Sequence, residues 1–476
     1  MESVGIVGRN IDQDRKAKKT FLFCVISALI IGVLCHVPAV TGYLFPVTSV
    51  NIAGRCISAL LFLLCMALSV ATICFVFEIE GKWTILLTSF LIMSSPWITL
   101  NISDYNRGEI KAFAFLLAAL SVYVVLYKEK KGHKFIALGI GIVGTMLGNV
   151  FINVFLTIIV LQMIYRLVTK AERKEKIFSD IRWELAILLV ICVTSLIMGL
   201  SRGQGIAFLS NVKNSLGIFV AYYFKQDFLN NAWRKRKLVH IVLFLLLGML
   251  IFSCIIIKKM SWKRWSTLVV ALVICPVAMC GFQIFSPAEP VSIRTLPAMN
   301  LIYVLLLAIV SVHILSRRID FPVTWCTWLG LGYIAYILVL YGQIYQSTLQ
   351  INHVKLYALA NRITTQIARV DDTENLPVLI YGNMRYGNYP DQYAQELAGY
   401  ILTGAMEPDL FSEDPQIAAE EWIDYLYQYH EMQYMAPAPE RYHDIIREEE
   451  FAEMPYFPEE GAVKIIDDTV VVKLSD

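Results

Sequence analysis

The stretch SPWITLNISDYNRGEIKAFAFLLAALSVYVVL, residues 95–126, places polar and charged residues between two strongly apolar runs. The polar part, 101–111, includes Asp104, Arg107 and Glu109. A helix that crosses the hydrocarbon core of a bilayer needs about 20 apolar residues, so this short polar interval predicts a loop between two membrane-spanning helices. The fold then depends on how many such helices the chain contains and on which side of the membrane this loop lies.

The composition of the whole chain predicts a membrane protein with many spans. Hydrophobic residues make up 57% of the 476, charged residues make up 17%, and the mean hydropathy is +0.58. A soluble chain of this length could not cover so much apolar surface with so few charges. The apolar stretch 135–167 could form one over-long helix, but Gly148-Asn149 in its middle favours two short helices joined by a tight break. We predict about eleven spans: 20–40, 56–77, 83–100, 112–127, 134–149, 151–168, 183–200, 238–257, 266–285, 296–315 and 323–345.

Net charge and cysteine spacing argue against several other classes of protein. The net charge is +2, and no basic patch interleaved with aromatic residues is evident, so we expect no nucleic-acid partner. The ten cysteines lie mostly within apolar spans, and no two of them have the CxxC spacing of redox and zinc motifs. We therefore expect neither a disulfide framework nor a metal site.

Positive charges predict the orientation of the spans, because loops rich in lysine and arginine remain in the cytoplasm. In this topology one side collects the basic clusters at 15–19, 128–134, 169–182, 258–264 and 317–318. The opposite, extracytoplasmic side then carries 41–55, 101–111, 201–237, 286–295 and everything after about residue 346. The basic run 234–237 is an exception that would suit an interfacial helix within 201–237.

This topology divides the chain into three parts: a cytoplasmic N-terminal tail (1–19), a multi-span transmembrane domain (20–345) and an extracytoplasmic C-terminal domain (346–476). The C-terminal part is acidic and rich in tyrosine, and its length suits a small α/β or α+β domain. Its pattern predicts a helix from 351 to 367, a strand in PVLIYGN (377–383), a helix over 415–431 and a hairpin around Asp467-Asp468.

The outward loops contain residues suited to glycosyl transfer from a lipid phosphate. Asp104 and Glu109 are the candidate catalytic residues, because a carboxylate can take the proton of an attacking hydroxyl group. Arg55, Arg107 and Arg294 are the candidate donor-phosphate ligands, because guanidinium groups bind phosphate and stabilise the charge that develops as it leaves. The sequence has no Walker loop and no strand–GxGxxG–helix unit, so an activated sugar outside the cell would have to be carried by a lipid.

Several of these residues also have a purely structural interpretation. Arg107 and Lys111 would equally suit residues that cap a short loop and meet lipid headgroups, and Arg55 would suit a side chain that extends to the membrane surface. His36 lies alone in a predicted span, where a hydrogen-bonded packing role is expected. The composition would also fit a transporter, although ionisable pairs within the spans are scarce and no inverted hydropathy repeat is evident.

Several segments, in the same order, match a pattern known from one family of membrane enzymes. Residues 95–126 have the family's Ser-Pro turn, short outer loop and Ala/Leu-rich helix. Further matching segments are LGNVFINVFLTIIVLQMI (147–164), VSIRTLPAMNLIYVLLLA (291–308), YALANRITTQIARV (357–370), PVLIYG (377–382) and MPYFPEEGAVKIIDDTVVVKL (454–474). With these segments the chain resembles the GtrII-type glucosyltransferases of bacterial surface-polysaccharide modification and serotype conversion, within the GT-C class.

The resemblance implies an α-helical polytopic, GT-C-like fold in the bacterial cell (cytoplasmic) membrane. It also implies that a glucosyl or other hexosyl residue moves, with inversion, from a polyprenyl-phosphate sugar to a cell-surface polysaccharide. The expected partners are this lipid-linked sugar, the surface glycan acceptor, membrane lipids, a flippase and a donor-synthesising transferase. No cofactor beyond the lipid-linked co-substrate is expected.

The first outer loop departs from the family pattern. Members usually carry an acidic pair there, where the catalytic base is expected, whereas residues 41–55 (TGYLFPVTSVNIAGR) contain no Asp or Glu. Only Gly54-Arg55 resembles the family in this loop. Three interpretations stay open: Asp104 or Glu109 provides the base, the chemistry differs, or the chain is a catalytically silent relative that binds lipid-linked sugar or assists surface-glycan assembly or transport.

Overall fold

The computed structural model divides the chain into two compact units. Unit 1 comprises Met1–Val40 and Cys56–Tyr345, and unit 2 comprises Thr41–Arg55 and Gln346–Asp476. The residues that the structure describes are 2–41, 52–102, 108–127, 131–147, 149–169, 213, 217, 219–220, 223, 234–257, 262–279, 296–315, 321–370, 376–382 and 415–474.

Nearly all described residues of unit 1 are helical. The helices are α1 (Glu2–Cys35), α2 (Val37–Val40), α3 (Ile52–Val76), α4 (Lys82–Met93), α5 (Pro96–Ile102), α6 (Gly108–Tyr127), α7 (Lys131–Leu147), α8 (Asn149–Thr169), α9 (Arg234–Ile257), α10 (Trp262–Met279), α11 (Leu301–Leu315) and α12 (Phe321–Val370). Helices are the expected choice, because a backbone in lipid must satisfy its hydrogen bonds within its own segment. The most enclosed of the long apolar helices is α8, which lies against α6, α7, α9, α10 and α11.

Within the described residues, five helices are long and apolar enough to cross a membrane, and the α4–α5 pair makes a sixth if it is counted as one span. These five segments are Lys16–Cys35, Cys56–Val76, Gly108–Leu126, Val150–Thr169 and Val323–Leu340. Four shorter apolar helices lie within α7, α9, α10 and α11. The chain is therefore mostly helical, as a membrane protein should be. The span predicted at 183–200 lies outside the described residues.

The predicted interruption at Gly148-Asn149 is confirmed, since α7 ends at Leu147 and α8 begins at Asn149. The two helices then pack closely. A β-carbon at Gly144 would collide with the ring of Phe151, so a larger residue at position 144 would push α7 and α8 apart.

Two predicted spans differ from the structure. The segment 83–100 is a bent pair rather than one straight helix, because α4 and α5 meet at an angle of 54°. The predicted last span, 323–345, and the helix predicted from 351 to 367 are not separate. Both belong to α12, which is one helix of 50 residues. Residues 346–370 contain polar side chains but no Gly or Pro, so hydropathy falls there while the helix continues. The interfacial helix suggested within 201–237 lies largely outside the described residues.

Contacts within unit 1 define two opposite ends of the bundle. At one end Lys16, near the start of the apolar part of α1, pairs with Glu80 at 4.0 Å. The hydroxyl group of Tyr165, near the end of α8, lies 3.5 Å from an oxygen of Glu78 at the same end. The other end contains the end of α1, where His36 contacts Met93, and the end of α5 and start of α6, which meet at Asn101 and Gly108. We call the end with Lys16 the basic end and the other the loop end.

Unit 2 contains the 346–370 part of α12 and a three-stranded sheet with three helices. Its elements are β1 (Val378–Tyr381), α13 (Pro415–His430), α14 (Pro439–Ile445), α15 (Glu449–Ala452), β2 (Val463–Ile466) and β3 (Thr469–Lys473). The strand order is β1-β3-β2, with β1 parallel and β2 antiparallel to β3.

The predicted strand, the helix near 415–431 and the hairpin are confirmed as elements of unit 2. Asp467 and Asp468 both have positive φ, as a tight two-residue hairpin turn requires.

The sheet of unit 2 has an apolar core on each face. One core contains Ile363, Trp422 and Val470, and the other contains Leu379, Ile445 and Phe451. Lys473 is an unusual member of this sheet because it is 4% exposed. Its ammonium group donates to the carbonyl oxygens of Phe451 at 3.1 Å and Ala452 at 3.3 Å, and the ring of Phe451 lies 4.8 Å away. These contacts tie the end of β3 to the short helix α15.

Candidate functional site

The bend between α4 and α5 organises the loop end of unit 1. Pro96 starts α5, a position where its missing N–H costs no helical hydrogen bond. A bend in a span exposes carbonyl groups that the helix no longer satisfies, and such groups are costly in lipid. Side chains next to the ends of other helices meet two of them. The Nε2–H group of His36 donates to the carbonyl oxygen of Met93 at 2.9 Å, and the amide of Asn300 donates to that of Leu91 at 2.8 Å.

The first bond confirms the hydrogen-bonded packing role expected for His36. The second bond attaches the turn before α11 to α4. The amide of Gln343 in α12 also donates to the carbonyl oxygen of Cys35 at 3.0 Å. Helices α1, α4, α11 and α12 are therefore connected at the loop end by polar contacts. A fixed polar framework of this kind can hold charged groups in place next to a membrane surface.

The end of α5 and the start of α6 lie in direct contact. A β-carbon at Gly108, the first residue of α6, would lie 2.5 Å from the carbonyl oxygen of Asn101. Only a glycine allows the two backbones to approach so closely without displacing one of them. The two ends of the connection 103–107 are thus held together, although these five residues themselves lie outside the described residues.

Glu109 is the predicted site residue that the structure places completely. Its half-buried carboxylate lies in the first turn of α6 and accepts a hydrogen bond from the hydroxyl group of Ser58 in α3. A carboxylate is stabilised in this position, because the backbone N–H groups at a helix N-terminus carry partial positive charge. The oxygens of a carboxylate have about four acceptor positions, so the bond from Ser58 leaves Glu109 able to accept another hydroxyl group.

Lys111 and Asn101 form the second polar contact between α5 and α6. The ammonium group of Lys111 donates to Oδ1 of Asn101 at 2.7 Å, while the amide Nδ2 of Asn101 donates to the carbonyl oxygen of Trp97 at 2.8 Å. Asn101 and Trp97 are 0% and 1% exposed, so the Asn101 side of this part-buried contact lies inside the bundle.

Aromatic rings form the apolar base beneath these polar contacts. The indole of Trp97 lies 6.1 Å from the ring of Phe62 and 5.7 Å from that of Phe115. Phe62 follows Ser58 by one helical turn in α3, and Phe115 follows Lys111 by one turn in α6. The carboxylate of Glu109 and the ammonium group of Lys111 therefore stand at the polar margin of a packed apolar region, where water is partly excluded.

A second polar cluster lies beside the turn that follows residue 295. The hydroxyl group of Tyr223 donates to the carbonyl oxygen of Met299, and the hydroxyl group of Tyr303 lies 2.8 Å from Nδ1 of His240. His240 and Tyr303 also stack, with ring centroids 5.9 Å apart. Together with Asn300 this cluster fixes the start of α11 at the loop end.

Comparison of the sequence with known protein families identifies the family of this chain. The sequence profile of the family described as glucosyl transferase GtrII matches residues 40–311, more than half of the chain. The chain belongs to the GtrII glucosyl transferase family. Neither the curated proteins nor the solved structures provided a match. Glucosyl transfer is the activity that this membership implies.

The GtrII match contains every site residue predicted from the sequence, but these residues are described to different extents in the structure. Glu109 is described with its contacts. Arg55 lies in the first turn of α3, but its side chain is not among the described parts of the structure. Asp104, Arg107 and Arg294 lie outside the described residues. The structure therefore describes the surroundings of one predicted catalytic residue, and the roles of all five residues remain predictions.

Sequence reasoning about this GtrII chain missed the roles of Ser58 and Asn101, and for Lys111 it offered a loop-capping or headgroup contact rather than a contact with Asn101. Ser58 lies in an apolar stretch 51 residues before its partner, so no local pattern pairs it with Glu109. Asn101 and Lys111 flank the charged loop on both sides, and their polarity within otherwise apolar helices was the available signal. The described residues contain no group of three or more His, Cys, Asp or Glu side chains that could hold a metal ion.

Proposed function

We propose that this GtrII-family chain transfers a glucosyl, or other hexosyl, residue from a polyprenyl-phosphate sugar to a cell-surface polysaccharide at the extracytoplasmic face of the cytoplasmic membrane. The observation that carries the proposal is the Glu109 carboxylate, held by Ser58 at the loop end of a helical bundle whose opposite end carries Lys16. A carboxylate at this position can act on a sugar that a lipid brings to the membrane surface.

The proposed reaction is a single displacement with inversion. Glu109 takes the proton of an acceptor hydroxyl group, and the oxygen of that group bonds to the anomeric carbon of the donor. The bond from this carbon to the phosphate oxygen breaks, and the phosphate keeps the electron pair. Arg55, Arg107 and Arg294 are proposed to bind the phosphate and stabilise its added charge. Asp104 is the alternative base. The protein's own groups supply every role in this scheme, so we assign it no metal and no organic cofactor.

The proposed topology has eleven spans in a GT-C-like arrangement, with the basic end in the cytoplasm and 346–476 forming an extracytoplasmic domain. Cysteines introduced at Asp104, Tyr427 and Glu80 test this sidedness in a variant without the native cysteines. A membrane-impermeant maleimide should label positions 104 and 427 in spheroplasts, because both are expected outside, and position 80 only after permeabilisation. Tyr427 is 60% exposed and the Glu80 side chain 70% exposed, so access to reagent is comparable. Labelling of 104 and 427 from the cytoplasmic side alone would reject the proposed function.

The donor can be tested directly with membranes that contain the protein. Such membranes should transfer labelled glucose from synthetic polyprenyl-phosphate glucose to a surface-glycan acceptor, and should not use a nucleotide sugar, since the sequence has no nucleotide-binding loop. Membranes from cells without the protein provide the control. A flippase and a donor-synthesising transferase are the partners proposed to supply this donor in the cell. Transfer from the nucleotide sugar alone would contradict the proposal.

A second candidate function is supported by the lack of Asp and Glu in residues 41–55. The chain would then be a catalytically silent relative that binds lipid-linked sugar or assists surface-glycan assembly or transport. This alternative predicts saturable binding of polyprenyl-phosphate glucose without turnover of any lipid-linked sugar by the unmutated protein. The transfer experiment and a binding measurement on the same preparation therefore distinguish the two functions.

The proposed phosphate ligands give a separate prediction. Changing Arg55, Arg107 and Arg294 individually to Gln should weaken binding of the donor phosphate, for at least one of them by about 1.5–3 kcal/mol, because charge-assisted hydrogen bonds are lost. Equilibrium binding of a non-hydrolysable polyprenyl-phosphonate sugar measures the effect. Arg369→Gln in the last turn of α12 is a matched control outside the predicted site. Unchanged affinity in all three variants would remove the arginines from the site.

A further inference from the structure

We propose that Asn101 and Lys111 are positioning residues that hold the Glu109 carboxylate in its reactive place. The inference rests on the proposed role of Glu109 as the base. Lys111 follows Glu109 by two residues in α6, and its ammonium group is hydrogen-bonded to Oδ1 of Asn101 at 2.7 Å. This bond ties the first turn of α6, which carries the carboxylate, to the last turn of α5.

Asn101 is a fixed anchor for this bond. Its side chain is 0% exposed, and its Nδ2 group donates to the carbonyl oxygen of Trp97 at 2.8 Å, which determines the direction of the amide. A reversed amide would turn its NH₂ group toward the ammonium group of Lys111, where neither could accept a hydrogen bond. Trp97 in turn packs between Phe62 and Phe115, so the anchor belongs to the packed part of the bundle.

The placement of Lys111 indicates a role in joining the two helices. A cation in the first turn of α6 is disfavoured by the positive end of the helix dipole, whereas a cation beside the last carbonyl groups of α5 is favoured. The ammonium group therefore gains stability from the α5 side of the contact and not from its own helix. The close approach of Gly108 to Asn101 and the bond from Ser58 to Glu109 hold the same turn from two further directions.

A carboxylate on a turn that is held from three directions is suited to general-base catalysis. A base must lie within hydrogen-bond reach of the proton that it removes, and displacement by about 1 Å can reduce the rate by roughly 100-fold. Loss of the Asn101–Lys111 bond should thus lower kcat and leave the apparent KM for the donor nearly unchanged. A lysine that bound the donor phosphate would show the reverse, an increased donor KM.

The experiment compares Asn101→Leu, Lys111→Met, the double variant and Lys111→Arg in full-length protein in membranes at matched expression. Each single variant should lower kcat by about 10- to 100-fold with donor KM changed less than about threefold. The double variant should be no worse than the single variants, because both remove the same bond. Lys111→Arg retains a donor and should keep more activity than Lys111→Met. Additive losses, unchanged kcat or a raised donor KM in Lys111→Met would overturn the proposal.

A measurement without turnover separates failure of this inference from failure of the proposed function. Carboxyl labelling with a carbodiimide and an amine, read by mass spectrometry, gives the reactivity of Glu109 relative to the exposed Glu80 in the same sample. The ratio should rise several-fold in Asn101→Leu and Lys111→Met, because the turn that carries Glu109 is loosened. An unchanged ratio would overturn the positioning role even if the unmutated protein transferred no sugar. A changed ratio without turnover would support positioning and reject the base.

Discussion

Glu109→Gln is expected to lower hexosyl transfer by about 10²–10⁴-fold, because an amide cannot take the proton of the acceptor hydroxyl group. Glutamine keeps the size of the side chain and can still accept the hydrogen bond from Ser58, so the turn at the start of α6 should remain folded. The measurement is the transfer rate from polyprenyl-phosphate glucose at matched protein levels.

Two further variants make this result interpretable. Glu80→Gln removes an exposed carboxylate at the opposite end of unit 1, paired only distantly with Lys16, and should retain full activity. Asp104→Asn tests the alternative base under the same conditions. If Glu109→Gln and Asp104→Asn were both fully active, neither acid would be the base, and the catalytic part of the proposed function would be wrong.

Gly108→Ala is expected to have the largest structural effect among conservative substitutions at the site. Its β-carbon would lie 2.5 Å from the backbone carbonyl oxygen of Asn101, and a backbone atom cannot rotate away as a side chain can. The two helix ends must separate, at a cost of about 1–3 kcal/mol or more for an overpacked contact. The separation should lower the midpoint of thermal unfolding in detergent and also displace Glu109.

Gly139→Ala in α7 is the matched control for this substitution. A β-carbon at position 139 would meet nothing within 4 Å, so the change should be neutral or slightly stabilising through the better helix propensity of alanine. Equal melting temperatures and equal activity for Gly108→Ala and Gly139→Ala would show that α5 and α6 are not in tight contact.

Among the described residues, the sequence was sufficient to predict where helices lie but not where they bend or end. Hydropathy identified the helical segments and the break at Gly148-Asn149, because both follow from local composition. It did not show the 54° bend within 83–100. It also placed a helix end near residue 345, since a fall in hydropathy marks where an apolar segment stops and not where a helix stops.

Long-range contacts limited the prediction of the site and of unit 2. The carboxylate of Glu109 was a candidate from its charge and its position next to an apolar helix, and the structure places it at a helix N-terminus. Its partner Ser58 and the Asn101–Lys111 bond join different helices, so no spacing in the sequence points to them. Similarly, the hairpin around Asp467-Asp468 was readable locally, whereas the parallel pairing of β1 with β3 joins strands about 90 residues apart.

The bend between α4 and α5 has a consequence for biosynthesis. The carbonyl group of Leu91 receives its donor from Asn300, which the ribosome adds 209 residues later, whereas His36 is already present when Met93 is made. Early in translation the nascent bundle therefore holds one capped and one uncapped carbonyl at the bend. The bend therefore reaches its final set of hydrogen bonds only after the segment that carries Asn300 has been inserted, so the maturation of the loop end depends on the order of membrane integration.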